Sequence, residues 1–251
     1  MNLPVPCVAI LGRGVRRIVF VFSALMAVGG GSQLASAATV FVGPTPYLSF
    51  ADSPFTGGFA YFHLENFEDG ALNSPGLSSP IGVVASPNAL TDSVDGDDGA
   101  IDGSGAAGRS WFSSASTSTF SFAFDGVALG TFPTHAGVVW TDVGQSTPVT
   151  GVTAVTLEAF GPGGASLGTL GPFTLGDGQA SGGTAEDRFF GAIDEGGISR
   201  ISMTVVGSVD WEVDHVQYGR VPEPSAIILM LTGLAAARWG WKKRSLIVRS
   251  R

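Results

Sequence analysis

The chain has 251 residues, of which 44% are hydrophobic and 14% charged, with 37 glycines and a formal net charge of −8 at pH 7. One cysteine excludes a disulfide framework and a cysteine-built zinc site. Residues 38–220 hold twenty of the 21 acidic side chains but only Arg109, Arg188, Arg200 and Arg220 of the 13 basic ones, a net charge near −16 that repels phosphate backbones and excludes nucleic-acid binding.

At the N-terminus, Arg13, Arg16 and Arg17 precede an apolar run over 18–28, and Ala35-Ser36-Ala37-Ala38 follows it. Basic, apolar and small-residue regions in that order predict a secretory signal peptide over 1–37, cleaved after Ala37. The apolar run is too short for a membrane anchor, which needs roughly twenty residues. The Arg16-Arg17 pair lacks the rest of a twin-arginine motif, so the general secretory route is expected. Cys7 lies inside this signal, which leaves the mature chain without a thiol.

Residues 38–220 then read as one domain. Short apolar segments alternate with turn signals, and sustained helical periodicity is missing, which predicts an all-β fold. The candidate strands are 59–64, 81–85, 119–124, 137–141, 152–160, 188–193, 198–206 and 209–218. In 155–159 and 201–205, apolar and polar residues alternate, so each strand buries one face. Gly161-Pro162, Gly171-Pro172, Asp69-Gly70, Asp125-Gly126 and Asp177-Gly178 read as turns. The expected architecture is a single antiparallel β-sandwich, jelly-roll-like. The polar, glycine-rich stretches 75–108 and 161–186 resist strand assignment; each is a surface excursion or a loop held by an ion.

Within the first of these stretches, Asp92, Asp95, Asp97, Asp98 and Asp102 place five carboxylates within eleven residues, among glycines that permit tight turns. Carboxylate oxygens at such spacing suit calcium. A helix-loop-helix site is excluded, because the glycine is at the wrong position and Ala106 stands where the bidentate glutamate belongs. The expectation is a calcium site on Asp95, Asp97, Asp98 and Asp102, or else a solvated acidic loop.

A second acidic group follows the first strong strand, at Glu65, Glu68 and Asp69. The last strand carries Asp210, Glu212 and Asp214 on one face. Residues 212–219 resemble the closing strand of sugar-binding β-sandwich modules. In those modules the first and last strands pair, and a structural calcium near their ends would here draw on Glu65 and Asp214. The other reading is a charged outer face on an edge strand.

Catalytic patterns are sparse. His63, His135 and His215 are scattered with no His-Glu-x-x-His motif, and no Gly-x-Ser-x-Gly elbow occurs. Each histidine is expected as a hydrogen-bonded strand residue. Glycoside hydrolysis needs two carboxylates facing across a cleft, and twenty acidic residues cannot single out a pair by sequence. Asp187-Arg188 reads as a strand start with a local ion pair. Most aromatic residues, Trp140 among them, are expected in the core, with Trp111 more exposed.

The tail runs Val221-Pro222-Glu223-Pro224-Ser225, an apolar helix over 225–241, and a basic segment over 238–251 carrying Arg238, Lys242, Lys243 and Arg244. Positive charge of this kind stays on the cytoplasmic side. Only thirteen residues, Ser225 to Ala237, precede Arg238, too few for a lasting span.

The order Pro222-Glu223-Pro224, apolar helix and basic tail resembles the PEP-CTERM sorting signal of bacterial exported proteins. The stretches 64–69, 93–99, 136–142, 186–191 and 213–219 make the body similar to an uncharacterised group within that family. The resemblance implies transient membrane insertion over 221–251 and an exosortase-like processing enzyme as partner. It also implies a link to exopolysaccharide, and it brings no catalytic residues. The expected function is that of a non-enzymatic exported protein of the cell envelope or extracellular matrix, structural or carbohydrate-associating, with calcium as a structural cofactor. Two alternatives remain: a polysaccharide-active hydrolase or lyase using a carboxylate pair, and an adhesive scaffold with no sugar site.

Overall fold

The computed structural model describes residues 38–88, 90–94, 108–143, 153–175, 187–222 and 233. Ala37 and the signal peptide, the acidic residues Asp95, Asp97, Asp98 and Asp102, Glu223 and Pro224, the tail helix and the expected turn at Asp177-Gly178 lie outside them. Pro222 is exposed just past the last strand. Among the described residues no helix is long and apolar enough to cross a membrane.

Twelve strands are present among the described residues: β1 Val40–Pro46, β2 Tyr61–Glu65, β3 Leu77–Ser78, β4 Val83–Val84, β5 Trp111–Phe112, β6 Thr119–Phe124, β7 His135–Val143, β8 Thr153–Phe160, β9 Ser166–Leu175, β10 Arg188–Ile193, β11 Arg200–Val206 and β12 Trp211–Arg220. They form two antiparallel sheets. One runs β1-β10-β7-β12-β5-β4, with β2 also paired to β12; the other runs β3-β6-β11-β8-β9. The fold is a β-sandwich, as expected.

Period-two alternation explains the inner faces. In β6, Phe120, Phe122 and Phe124 are buried while Thr119, Ser121 and Ala123 are not. Ile201, Met203 and Val205 of β11 and Val155, Leu157 and Ala159 of β8 do the same, and meet Val138, Trp140, Phe190, Val213 and Tyr218 from the facing sheet. On the outer side of those strands, Thr119 and Thr204 bond at 2.9 Å, and Ser121 donates to Ser202 at 3.1 Å.

The larger sheet departs from a simple sandwich, because its outer face is also covered. Tyr47, Phe55, Val94, Val139 and Phe189 form a second apolar cluster there. Strand β12 is consequently buried at nine consecutive positions, 211–219. The reading of residues 209–218 as an edge strand with a charged outer face does not hold: β12 is central in the sheet and covered on both sides. At Gly137 a Cβ atom would run into the Phe189 ring and lie 2.7 Å from the Phe190 carbonyl oxygen, so this crowding requires glycine.

Other expectations need correction. Strand β1 was not anticipated, since its glycine and two prolines (VFVGPTP) weaken the strand pattern. Strand β9 occupies a stretch expected as loop. It is an edge strand whose Leu167, Leu170, Phe173 and Leu175 pack on the core while Ser166, Thr169, Gly171, Pro172 and Thr174 are exposed. Gly171-Pro172 is no turn: it lies within β9, where the register to β8 shifts. Gly161-Pro162 is a turn, closed by Gly164 N–H donating to the Gly161 carbonyl at 3.0 Å. Trp111 is buried, stacks on Phe67 at 5.6 Å, and donates its indole N–H to the Ile81 carbonyl at 3.1 Å.

Candidate functional site

The outer side of β12 carries the densest polar arrangement. Glu212 pairs with Asp142 of β7 on one side and Phe112 of β5 on the other. Antiparallel partners share a face, so Asp142 and Glu212 stand side by side. Asp210 projects to the same side two residues earlier. A bulge makes this possible. Glu212 pairs with Asp142 but Val213 pairs with Trp140, which leaves Thr141 as the extra residue. Strict alternation from Val138 and Trp140 would have turned Asp142 into the interior; the bulge turns it outward.

Residues 91–94 cross over these side chains. The Asp92 N–H donates to Glu212 Oε2 at 2.9 Å, and the Ser110 hydroxyl donates to the same oxygen at 2.5 Å. Asp214 Oδ2 accepts from the Ser93 hydroxyl at 3.1 Å and from the Val94 N–H at 3.0 Å. Two successive outward carboxylates of β12 therefore tie down the stem of the acidic loop. Burial pushes the Glu212 carboxyl up to about 7. The Ser110 and Asp92 hydrogen bonds oppose this rise, and the negative charges of Asp92 and Asp210 add to it. Burial raises Asp210 as well.

Beside this stem opens a cleft of about 450 Å³. It is lined by Asp142, Asp210 and Glu212 from the sheet side and by Ser86, Asn88, Leu90 and Thr91 from the stretch after β4. Small-molecule sites occupy about 300–1,000 Å³, so a small organic molecule would fit. The stretch after β4 is itself braced: Asn88 Nδ2 donates to the Thr91 hydroxyl at 2.8 Å, and Thr91 donates to the Ser86 carbonyl at 2.8 Å.

Glu65 does different work. Its Oε1 accepts from the Phe67 N–H at 3.1 Å, and its Oε2 accepts from the N–H groups of Asn73 and Ser74 at 3.0 and 2.9 Å. It closes the 66–74 loop as an internal acceptor. The expected pairing of the first strong strand with the last is present, as β2 on β12. Glu65 and Asp214 nevertheless do not meet. Glu65 pairs with Val216, whose side chain is in the sandwich interior, whereas Asp214 holds residues 93–94 on the outer face. Among the described residues no three His, Cys, Asp or Glu side chains converge on a point that could hold a metal ion.

The histidines sit in strands with partners. The Tyr47 hydroxyl lies 3.0 Å from His215 Nδ1 and accepts from Gln217 Nε2 at 2.8 Å, and the Ser53 hydroxyl donates to Gln217 Oε1 at 2.5 Å. His215 occupies the bulge position of β12 with φ +44°. His135 is 3.0 Å from the Thr134 hydroxyl and has its basicity lowered by burial. Burial also lowers His63, whose ring lies 5.2 Å from that of Tyr218. Arg188 donates to the Asp187 backbone carbonyl at 2.9 Å, a contact within the expected Asp187-Arg188 unit that is not carboxylate-directed.

Sequence reasoning missed Asp142 as part of a site and missed Tyr47, Ser53 and Gln217 as a buried polar network. Asp142 carried no signal, because only the bulge turns it outward. Buried Tyr47 sits in a segment whose covering role shows only in the fold.

No protein family, no curated protein and no solved structure matches the chain.

Proposed function

We propose that the chain is an exported, non-enzymatic protein of the cell envelope or extracellular matrix whose sandwich associates with carbohydrate and is linked to exopolysaccharide. In this reading residues 1–37 are a signal peptide. Residues 221–251, with Pro222, Glu223 and Pro224, are a short transmembrane sorting helix handled by an exosortase-type enzyme. The finer fold is a jelly roll. Its support is strand order: β5-β12-β7-β10 in one sheet and β6-β11-β8-β9 in the other are the two four-stranded halves of that topology.

The observation that carries the binding reading is the cleft on the outer face, where the Asp210 and Glu212 carboxylates offer acceptors to sugar hydroxyls and Leu90 and Phe112 offer apolar surface. The arrangement also favours binding over hydrolysis. Asp142, Asp210 and Glu212 come from β7 and the start of β12, and residues 85–91 bring no carboxylate to the cleft among the described residues. A hydrolase needs its two carboxylates on either side of the scissile bond. One feature favours the alternative of a hydrolase or lyase: burial brings Glu212 to about 7, where a carboxyl can both give and take a proton near neutral pH. An adhesive scaffold without a sugar site is the third reading.

Glycan-array binding by the 38–220 fragment, with and without calcium, tests the proposal. Binding to at least one glycan class without release of reducing ends is the expected result. Release of reducing ends that Glu212→Gln abolishes would establish the enzyme, and no binding in either condition would leave the adhesive scaffold.

A further inference from the structure

The cleft offers acceptors with very few donors of positive charge. No lysine, arginine or histidine lines it among the described residues. Both hydrogen bonds to Glu212 converge on Oε2, from the Asp92 N–H and the Ser110 hydroxyl. Glu212 is only 6% exposed, and its Oε1, which takes no hydrogen bond among the described residues, is left to the cleft. Asp210 stands beside it, partly exposed, and its carboxylate accepts no hydrogen bond among the described residues. Burying carboxylate oxygens without donors is costly. A site that does so is complementary to something that brings donors and positive charge.

A metal ion is a poor occupant, because among the described residues no three ligating side chains converge on one point. Acceptors on both Asp210 and Glu212 suit a group carrying several N–H and O–H donors. Leu90 and Phe112 give apolar surface for a ring's C–H face, while the Asn88 amide and the Thr91 hydroxyl are already bonded to each other and to the Ser86 carbonyl.

We propose that the cleft takes a protonated amino sugar, a glucosamine-type unit of a polysaccharide, with Asp210 and Glu212 Oε1 accepting from its ammonium and neighbouring hydroxyls. This rests on the carbohydrate-associating reading and narrows it to a cationic glycan. The body's charge near −16 draws such a polymer toward the protein from a distance. The cleft carboxylates then hold one unit in place by charge-assisted hydrogen bonds.

The test is calorimetric titration of the full chain in mild detergent with three oligosaccharides of equal length: a glucosamine oligomer, its fully N-acetylated counterpart, and a neutral glucose oligomer. The glucosamine oligomer is expected to bind about tenfold or more tightly than the other two, and Asp210→Asn to remove about tenfold of its affinity. Asp210 is partly exposed and its carboxylate accepts no hydrogen bond among the described residues, so the variant is expected to keep its melting temperature; Glu212→Gln is the second variant. Equal binding of all three oligomers overturns the cationic preference while leaving carbohydrate association intact. Glucosamine binding that neither variant alters assigns the attraction to overall charge and overturns the site. Absence of binding to all three overturns this site together with the reading on which it rests.

Discussion

The Tyr47 hydroxyl lies 3.0 Å from His215 Nδ1, joining two buried side chains separated by 168 positions in the chain. With Gln217 donating to the same hydroxyl and Ser53 donating to Gln217, the contact fastens residues 47–53 over the outer face of β12. The Tyr47 hydroxyl accepts from Gln217 Nε2, and which of the hydroxyl and His215 Nδ1 donates to the other depends on the histidine tautomer. Tyr47→Phe keeps the ring, which stacks on Phe189 at 6.1 Å, but leaves two buried polar atoms without their partner. A loss of about 1–3 kcal/mol is expected, read as a lower midpoint in urea unfolding. An unchanged midpoint would show that the network does not hold the segment down.

The pH dependence of stability follows from Glu212. Its carboxyl is raised from 4.5 to about 7 in the folded protein, so the folded state binds the proton more tightly than the unfolded chain. The stability it contributes is fully present below about 4.5 and is lost as pH rises through 7. Lowering the pH from 8 to 5.5 should therefore stabilise the domain by about 2 kcal/mol, or several degrees in Tm. Glu212→Gln should remove most of this slope while keeping an acceptor for the Asp92 N–H. Thermal melts across that range, wild type against variant, measure it; parallel curves would assign the slope to other groups.

Glu65 should behave as a structural anchor rather than a ligand. Three backbone N–H groups depend on its two oxygens. Glu65→Ala strands all three and should cost about 2–4 kcal/mol, on the order of 10 °C in Tm. The loss should be the same in calcium and in chelator. A loss seen only with calcium present would instead make Glu65 a metal ligand.

Calcium binding on Asp95, Asp97, Asp98 and Asp102 is a separate proposal. Millimolar calcium should raise Tm by mass action relative to chelator, and Asp97→Asn with Asp98→Asn should abolish the increase. Equal melts in both conditions would remove the site.

The residues 155–159 and 201–205 show what was legible in the sequence. Their alternation predicted a face to bury, and Val155, Leu157, Ile201 and Met203 are in the interior. Strand β9 shows where legibility failed. Leu167, Leu170, Phe173 and Leu175 all pack on the core, but the register shift at Gly171-Pro172 breaks their period-two spacing, and the hydrogen bonds to β8 leave no trace in composition. For the candidate site, the acidic run of β12 was visible, but its burial was not. An edge strand and a covered central strand can carry the same Asp210, Glu212 and Asp214 pattern.

The sequence by itself determined that the body is strongly acidic and lysine-free, that nearly all its regular structure is strand, and which faces of the core strands are apolar. Those properties are local: charge is a sum, and period two is a property of neighbouring residues. Only the tertiary structure decided that β12 lies in mid-sheet under residues 47–59 and 91–94, that the Thr141 bulge turns Asp142 beside Glu212, and that Glu65 and Asp214 face opposite sides of one sheet. Register and bulges depend on which strands pair across long separations, and a one-residue shift reverses the face of every side chain beyond it.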